Sequence, residues 1–246
     1  MFNTLIEKIK LITNRFNLFN NFVSVFIILL LTFVSFSAGV MYADLTSGNF
    51  QKANNNTAGS VKQVAGQIEN LVKPNEKDNV RGNKNAKIAL IEYSDIDCPF
   101  CKQFHSTAIE ILKQYEGEVM WVHRDFPIDS LHPEASKKAI AAACVSQLSG
   151  NDSYWKFIDI LYERAEKASD LENIAIEIGV DKTKFNDCYT NSKTKSDVLQ
   201  DYNDGIKAGV QGTPGNFVMN VETGKSLELR GAVPAEEVAQ AIESVK

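Results

Sequence analysis

The stretch Ile88-Ala89-Leu90-Ile91-Glu92-Tyr93-Ser94-Asp95-Ile96-Asp97-Cys98-Pro99-Phe100-Cys101 sets the frame for the rest of the chain. Its first six residues are an almost continuous apolar run, the pattern of a strand covered on both faces. Glu92 interrupts that run on the side of Ile88 and Leu90. Beyond the two cysteines, Phe104, Ala108, Ile111 and Leu112 recur at helical spacing, and Val119-Met120-Trp121-Val122 reads as a second strand. Strand, helix and strand with a short return make a parallel βαβ unit with a right-handed crossover.

Working towards the C-terminus, a run of helices follows. Ala135, Ile140, Cys144 and Leu148 share one face, and Tyr154, Ile158, Leu161 and Ala165 another. Leu171, Ile174 and Ile178 mark a third helix ending at Gly179. Asp181 caps a fourth, with Val180 stapled against Phe185, and Val198, Tyr202 and Ile206 mark a fifth. Strand character returns at Asn216–Met219 and Ser226–Leu229 around a turn at Glu222–Lys225. Pro234 then opens a last helix that turns Val238, Ile242 and Val245 inward. The expected order is βαβ, a helical insert at about 133–210, then ββα.

The chemistry concentrates at Cys98 and Cys101. A cysteine where a strand hands over to a helix faces unpaired backbone N–H groups and the positive end of the helix dipole, which favour thiolate over thiol. Pro99 suits the first turn because its missing N–H has no partner to lose there. Two thiols so placed can close a disulfide and reopen it by exchange. Cys98 is then the attacking sulfur and Cys101 the resolving one. Zinc is a rival reading, with His105 one turn beyond Cys101 as a third ligand, but no second cysteine pair exists to complete it. An inert disulfide is another, although so short a loop gains little from closure. Glu92, a carboxylate in a buried strand, should have a raised pKa and can accept the proton that Cys101 loses. The alternative pairs it with Lys87 or Lys102. Gly212-Thr213-Pro214 precedes a strand, where an ordinary turn proline is the default. No role follows for His105, His123 or His132.

The flanks and composition bound the setting. The 246 residues carry 26 basic and 31 acidic side chains, a balance that disfavours a general nucleic-acid binder. From residue 85 onward the count is 17 basic against 26 acidic, which also disfavours anionic lipid surface. Four cysteines are too few for a disulfide-dense scaffold. Residues 22–43 hold no charge, and as a helix they would span ~33 Å, enough for a bilayer core. Lys8, Lys10 and Arg15 precede this segment and Asp44 follows it, so residues 1–21 are expected in the cytoplasm and everything after residue 43 outside. A cleaved secretory signal is the rival, but the apolar stretch is long for one and the cleavage pattern poor. Residues 44–74 read as a polar stalk. Val61, Val64, Ile68 and Val72 suggest a short amphipathic helix leading into Pro74, and the folded domain runs over 75–246.

The stretch from Ala86 to Cys101, followed by Gly209-Val210-Gln211-Gly212-Thr213-Pro214, resembles the DsbA-like thiol:disulfide oxidoreductases. The nearest branch is the membrane-anchored bacterial proteins of the disulfide-bond-formation D type. The resemblance covers 75–246 and implies an α/β thioredoxin-like fold with an all-helical insertion, preceded here by the N-terminal transmembrane helix. It implies Cys98 as nucleophile, Cys101 as resolving thiol and Glu92 as the buried acid beneath them. Pro214 becomes the cis proline facing the disulfide, and Thr213 the residue whose backbone pairs with an extended substrate segment. No cofactor or metal is implied. The expected partners are exported cysteine-containing proteins and a quinone-linked membrane reoxidant. The sequence departs from the family at Phe100, where the strongest oxidants carry histidine, and at Gly215-Asn216, where relatives often carry Thr-Phe.

Cys144 and Cys188 lie on apolar faces of insert helices. Free buried thiols are one reading. In an exported domain the even count leaves them to each other, and relatives carry cysteines at both places, so a structural disulfide is expected. The function expected is disulfide formation in exported proteins. An isomerase or reductase of the same fold, or a non-catalytic peptide-binding module, is the alternative.

Overall fold

The computed structural model describes residues 66–164 and 167–246. Five strands form one sheet: β1 (Asn79–Gly82), β2 (Ile88–Ser94), β3 (Val119–Asp125), β4 (Gly215–Asn220) and β5 (Ser226–Arg230), in the spatial order β1-β3-β2-β4-β5. Only β2 and β3 run parallel, joined by α1 (Pro99–Gln114); β1–β3, β2–β4 and β4–β5 are antiparallel. Every residue of β2 and β3 is buried: the apolar runs Ile88–Ile91 and Val119–Val122 as their pattern requires, and Glu92, His123, Arg124 and Asp125 along with them.

The pleat sends alternate residues to opposite faces. Ile88, Leu90, Trp121 and Val218 belong to the larger core, with the buried sides of α1, of α2 (Ala135–Arg164) and of α6 (Ala235–Val245). Ala89, Ile91, Tyr93, Val122 and Phe217 belong to a second core with Leu71, Phe126 and Val210. The insert comprises α2, α3 (Leu171–Glu177), α4 (Lys182–Thr190) and α5 (Lys195–Lys207). Gly150, at φ 80° and ψ 179°, breaks α2 between the two helices that the periodicity separates. Asp181 caps α4 through Oδ1, which accepts from the Lys184 N–H at 2.9 Å. Cys144 and Cys188 form a disulfide that joins α2 to α4.

Four details depart from the sequence expectations. The described part of the 61–72 segment is not helical: Gly66 bridges Ser226 beside β5, and Ile68 N–H donates to Ser226 Oγ at 3.0 Å. A sheet edge supplies those backbone bonds, which outweigh a weak helical period. Strand β1 was not anticipated, because four residues with only Val80 apolar carry no period; it pairs along the β3 edge, with Arg81 lying 4.4 Å from the Trp155 ring centre. Ile206 is 51% exposed, because α5 instead packs Gly205 against Phe126 and Tyr93. Pro234 is the N-cap of α6 rather than its first helical residue. The expected cytoplasmic segment 1–21, the expected transmembrane anchor 22–43, most of the 44–74 stalk, and Ala165 lie outside the described residues. Among the described residues no helix is long and apolar enough to cross a membrane.

Candidate active site

Cys98 is the N-cap of α1, extended at φ −74° and ψ 123°, with Pro99 opening the helix. A tight turn holds it there: its N–H donates to Asp95 O at 3.0 Å, while its own carbonyl accepts from the Lys102 N–H at 3.1 Å. Its thiol donates to the Thr213 carbonyl at 3.4 Å. That bond sets Cys98 against the loop that enters β4, where the Thr213–Pro214 peptide bond is cis, as the resemblance implies. Phe100, 59% exposed, lies outside this cluster and offers the sulfur no charge.

The two thiols are free and stand in opposite electrostatic positions. The hydrogen bond from the Cys101 thiol, supported by one from Thr213 and by the backbone N–H groups of Cys101 and Phe100, brings Cys98 down to about 5 against the opposing effect of burial. Burial pushes Cys101 far up, and its bond to Cys98 and the charge of Glu92 add to that; a hydrogen bond with Ser94 opposes them. Neutral pH therefore favours a Cys98 thiolate beside a Cys101 thiol.

Glu92 is buried beneath the pair, and burial pushes its carboxyl up to about 8. It is bonded to no lysine. Lys87 pairs with Glu222 on the surface at 3.1 Å, and Lys102 is exposed. The partners of Glu92 are Ser94, whose hydroxyl donates to Oε1 at 2.7 Å, and Trp121, whose Nε1 donates to Oε2 at 3.0 Å. Neither was legible as a site residue, since Trp121 looked like an ordinary core aromatic and Ser94 like a strand-end residue.

The structure thus brings Glu92, Cys98, Cys101, Thr213 and Pro214 to one end of β2 and β4, and leaves Cys144–Cys188 in the insert. His105 turns away from the thiols: its Nε2 bonds Asp159 Oδ1 at 2.8 Å, and its ring lies against Trp121 and Tyr162. Among the described residues no group of three His, Cys, Asp or Glu side chains could hold a metal ion. His132, unassigned from sequence, donates from Nδ1 to Asp95 Oδ2 (2.9 Å), which also accepts the Ile128 N–H at 2.8 Å. Asp95 thereby ties the Cys98 turn to the segment entering α2. The Gly215-Asn216 departure has a packing reason. A Cβ on Gly215 would stand 2.7 Å from Val210 Cγ1, and buried Asn216 donates to Gly231 O at 2.9 Å. Chemically, the cluster can present a thiolate to a disulfide, or a disulfide to a thiolate, and has a buried acid to exchange a proton with the second sulfur.

Comparison with known proteins agrees with this architecture. The Thioredoxin family model matches residues 74–243. A protein-disulfide oxidoreductase of Rickettsia bellii is 30% identical over 163 residues, covering 61% of this chain and 60% of that protein. The Na(+)/H(+) antiporter NhaA 3 of Salinispora tropica is 28% identical over 145 residues, covering 58% of this chain and 22% of the antiporter. The chain thus spans less than two thirds of the length of either relative. Oxidised BdbD from Bacillus subtilis shares the fold at a TM-score of 0.61, with 22% identity over 74% of this chain and 96% of that one. With a family match over most of its length and the thiol pair at the start of α1, the chain belongs to the thioredoxin family, and its fold, helical insertion included, is the one that DsbA-type structures share.

Proposed function

We propose that this chain is a thiol:disulfide oxidoreductase that forms disulfide bonds in exported proteins, working outside the cytoplasm and tethered by residues 22–43 in the manner of the D-type branch. The observation that carries the reading is the opposed state of the two thiols, Cys98 brought down to about 5 and Cys101 raised. A stabilised Cys98 thiolate stabilises the reduced form, and that makes the disulfide the stronger oxidant. In the forward reaction a substrate thiolate attacks Cys98 of the Cys98–Cys101 bond, and Cys101 leaves as a thiolate that takes up a proton. The second substrate thiolate then attacks the substrate sulfur of the mixed disulfide, and Cys98 leaves as its stable thiolate. The substrate gains the disulfide, and the enzyme holds two electrons for a quinone-linked membrane reoxidant. The backbone of Thr213, next to Pro214, is available to an extended substrate segment. The relatedness to the Rickettsia bellii protein supports exchange chemistry.

Phe100, where the strongest oxidants carry histidine, together with Thr213, favours the reductase or isomerase as second reading. Equilibration of the full chain with glutathione buffers of known ratio separates the two. A potential well above the glutathione couple is expected for the oxidase, and one near or below it overturns that direction.

A further inference from the structure

The turn at 95–98 carries two acidic side chains just before the nucleophile, Asp95 and Asp97. A carboxylate so close to a thiolate opposes its charge, and Phe100 offers nothing to offset it. Both carboxylates are met instead from the entrance of α2. Asp97 Oδ1 accepts from Lys138 Nζ, and Asp95 Oδ2 accepts from His132 Nδ1 at 2.9 Å. Asp95 carries its contact into the turn: its Oδ1 accepts the Asp97 N–H at 2.9 Å, and its carbonyl the Cys98 N–H at 3.0 Å.

Lys138 stands against two local rules. It is 5% exposed, and an ammonium taken out of water costs free energy unless it is paired. It also lies in the first turn of α2, at the positive end of the helix dipole, where a cation is disfavoured. Asp97 meets it there across 41 residues of chain. A residue that breaks local rules is expected where function requires it.

The entrance of α2 is itself fixed. Ser136 donates to Asp129 from its N–H at 2.9 Å and its hydroxyl at 2.6 Å, and the His132 N–H donates to Ile128 O at 2.9 Å. The other titratable groups on the surrounding elements are neutralised or engaged elsewhere. Burial pushes Glu92 up to about 8, Asp201 up to about 7, and Asp125 and Cys101 well up. Arg124 pairs with Asp78 at 2.9 Å, Glu134 accepts the Ala168 N–H at 3.1 Å, and Lys102 is exposed. Burial opposes a charge on His132, but the hydrogen bond and charge of Asp95, and after them the charges of Cys98 and Asp97, hold it above its ordinary value. Such coupling is mutual, so an imidazolium favoured by the Cys98 thiolate favours that thiolate in return.

We infer that His132 and Lys138 are positioning residues for the nucleophile: through Asp95 and Asp97 they fasten the Cys98 turn to the entrance of α2 and offset its two negative charges. The charge that balances the turn thus comes from the insert rather than from between the cysteines. The inference deepens the exchange reading of Cys98–Cys101 and rests on it.

The test is titration of the Cys98 thiolate in the reduced full chain by its ultraviolet absorbance, together with the glutathione equilibrium. Lys138→Met leaves Asp97 uncompensated and should raise the Cys98 midpoint by about one pH unit. At pH 7 the weaker thiolate should shift the glutathione equilibrium about tenfold toward the disulfide form. Lys138→Arg keeps the charge and should titrate as wild type. The double variant Asp97→Asn, Lys138→Met removes both charges and should return the midpoint to the wild-type value. A packing role alone would leave the double variant no better than the single one; that result, or an unchanged midpoint in Lys138→Met, overturns the inference. His132 is read in the wild-type chain. Closing the Cys98–Cys101 bond removes the thiolate charge, so NMR should find His132 titrating about half a pH unit lower in the oxidised chain than in the reduced one. Equal values overturn the part given to His132. Formation of a mixed disulfide at Cys98 reports the exchange reading separately: if the wild-type chain never forms one, the proposed function fails, whatever the titrations give.

Discussion

Glu92→Gln should make the protein more stable at neutral pH. Burial lifts the Glu92 carboxyl from an ordinary 4.5 to about 8, so the folded chain keeps a proton that the unfolded chain releases. Folding therefore takes up a proton between those two values, and stability falls as pH rises through that window. Each pH unit of it is worth about 1.4 kcal/mol, so at pH 7 the wild-type chain is penalised by about 3 kcal/mol. Glutamine removes the titration, keeps an acceptor for Trp121 Nε1 and keeps the volume of the side chain. Urea unfolding of the reduced protein can be followed by the fluorescence of Trp121 and Trp155, the two tryptophans, both buried. The variant should exceed wild type by about 3 kcal/mol at pH 7, by more at pH 8, and by almost nothing at pH 4. No gain at pH 7, or the same gain at pH 4, would refute the claim that the buried carboxyl is held protonated.

The Cys144–Cys188 bond closes a loop with a sequence separation of 44, for which the chain-entropy argument gives a contribution of about 4 kcal/mol. The double change to alanine should lower stability by roughly that amount in urea while leaving Cys98 able to form a mixed disulfide; a loss under about 1 kcal/mol would show that the bond constrains little. At Gly205 an added Cβ would stand 2.8 Å from both Phe126 Cδ2 and Tyr93 Cδ1, so Gly205→Ala overpacks the contact between α5 and the sheet. Strain of about 1–3 kcal/mol should exceed the gain of up to about 1 kcal/mol in helix propensity. Thermal unfolding should therefore shift downward, and an upward shift would mean that α5 does not bear on those rings.

Much of the architecture is legible in one dimension where the signal is local. The apolar run of β2 ending at Cys98-Pro99-Phe100-Cys101 specifies a covered strand, a helix start and the place of the chemistry, because strand burial, helix polarity and thiol spacing are all short-range properties. The helices of the insert follow from their period, which separates 135–148 from 154–165, and the Asp181 cap follows from its position; that the break falls at Gly150 is known only from the backbone. The short edge strand β1 was not legible, since Asn79–Gly82 is held by pairing with β3 rather than by any pattern of its own. The non-helical path of residues 66–72 likewise depends on Ser226, some 158 residues away at its bond to Ile68.

The site divides in the same way. Sequence alone identifies Cys98 and Cys101, flags Glu92 as a carboxylate that burial must perturb, and places Thr213-Pro214 at a strand entrance. Only the tertiary structure puts Thr213 against the Cys98 sulfur and gives Glu92 its partners. Trp121 reaches it across 29 residues of chain, and Tyr162 reaches Ser94 across 68. Hydrogen bonds need atoms within about 3 Å in a fixed orientation. No residue order encodes that until the sheet and the insert have closed over one another.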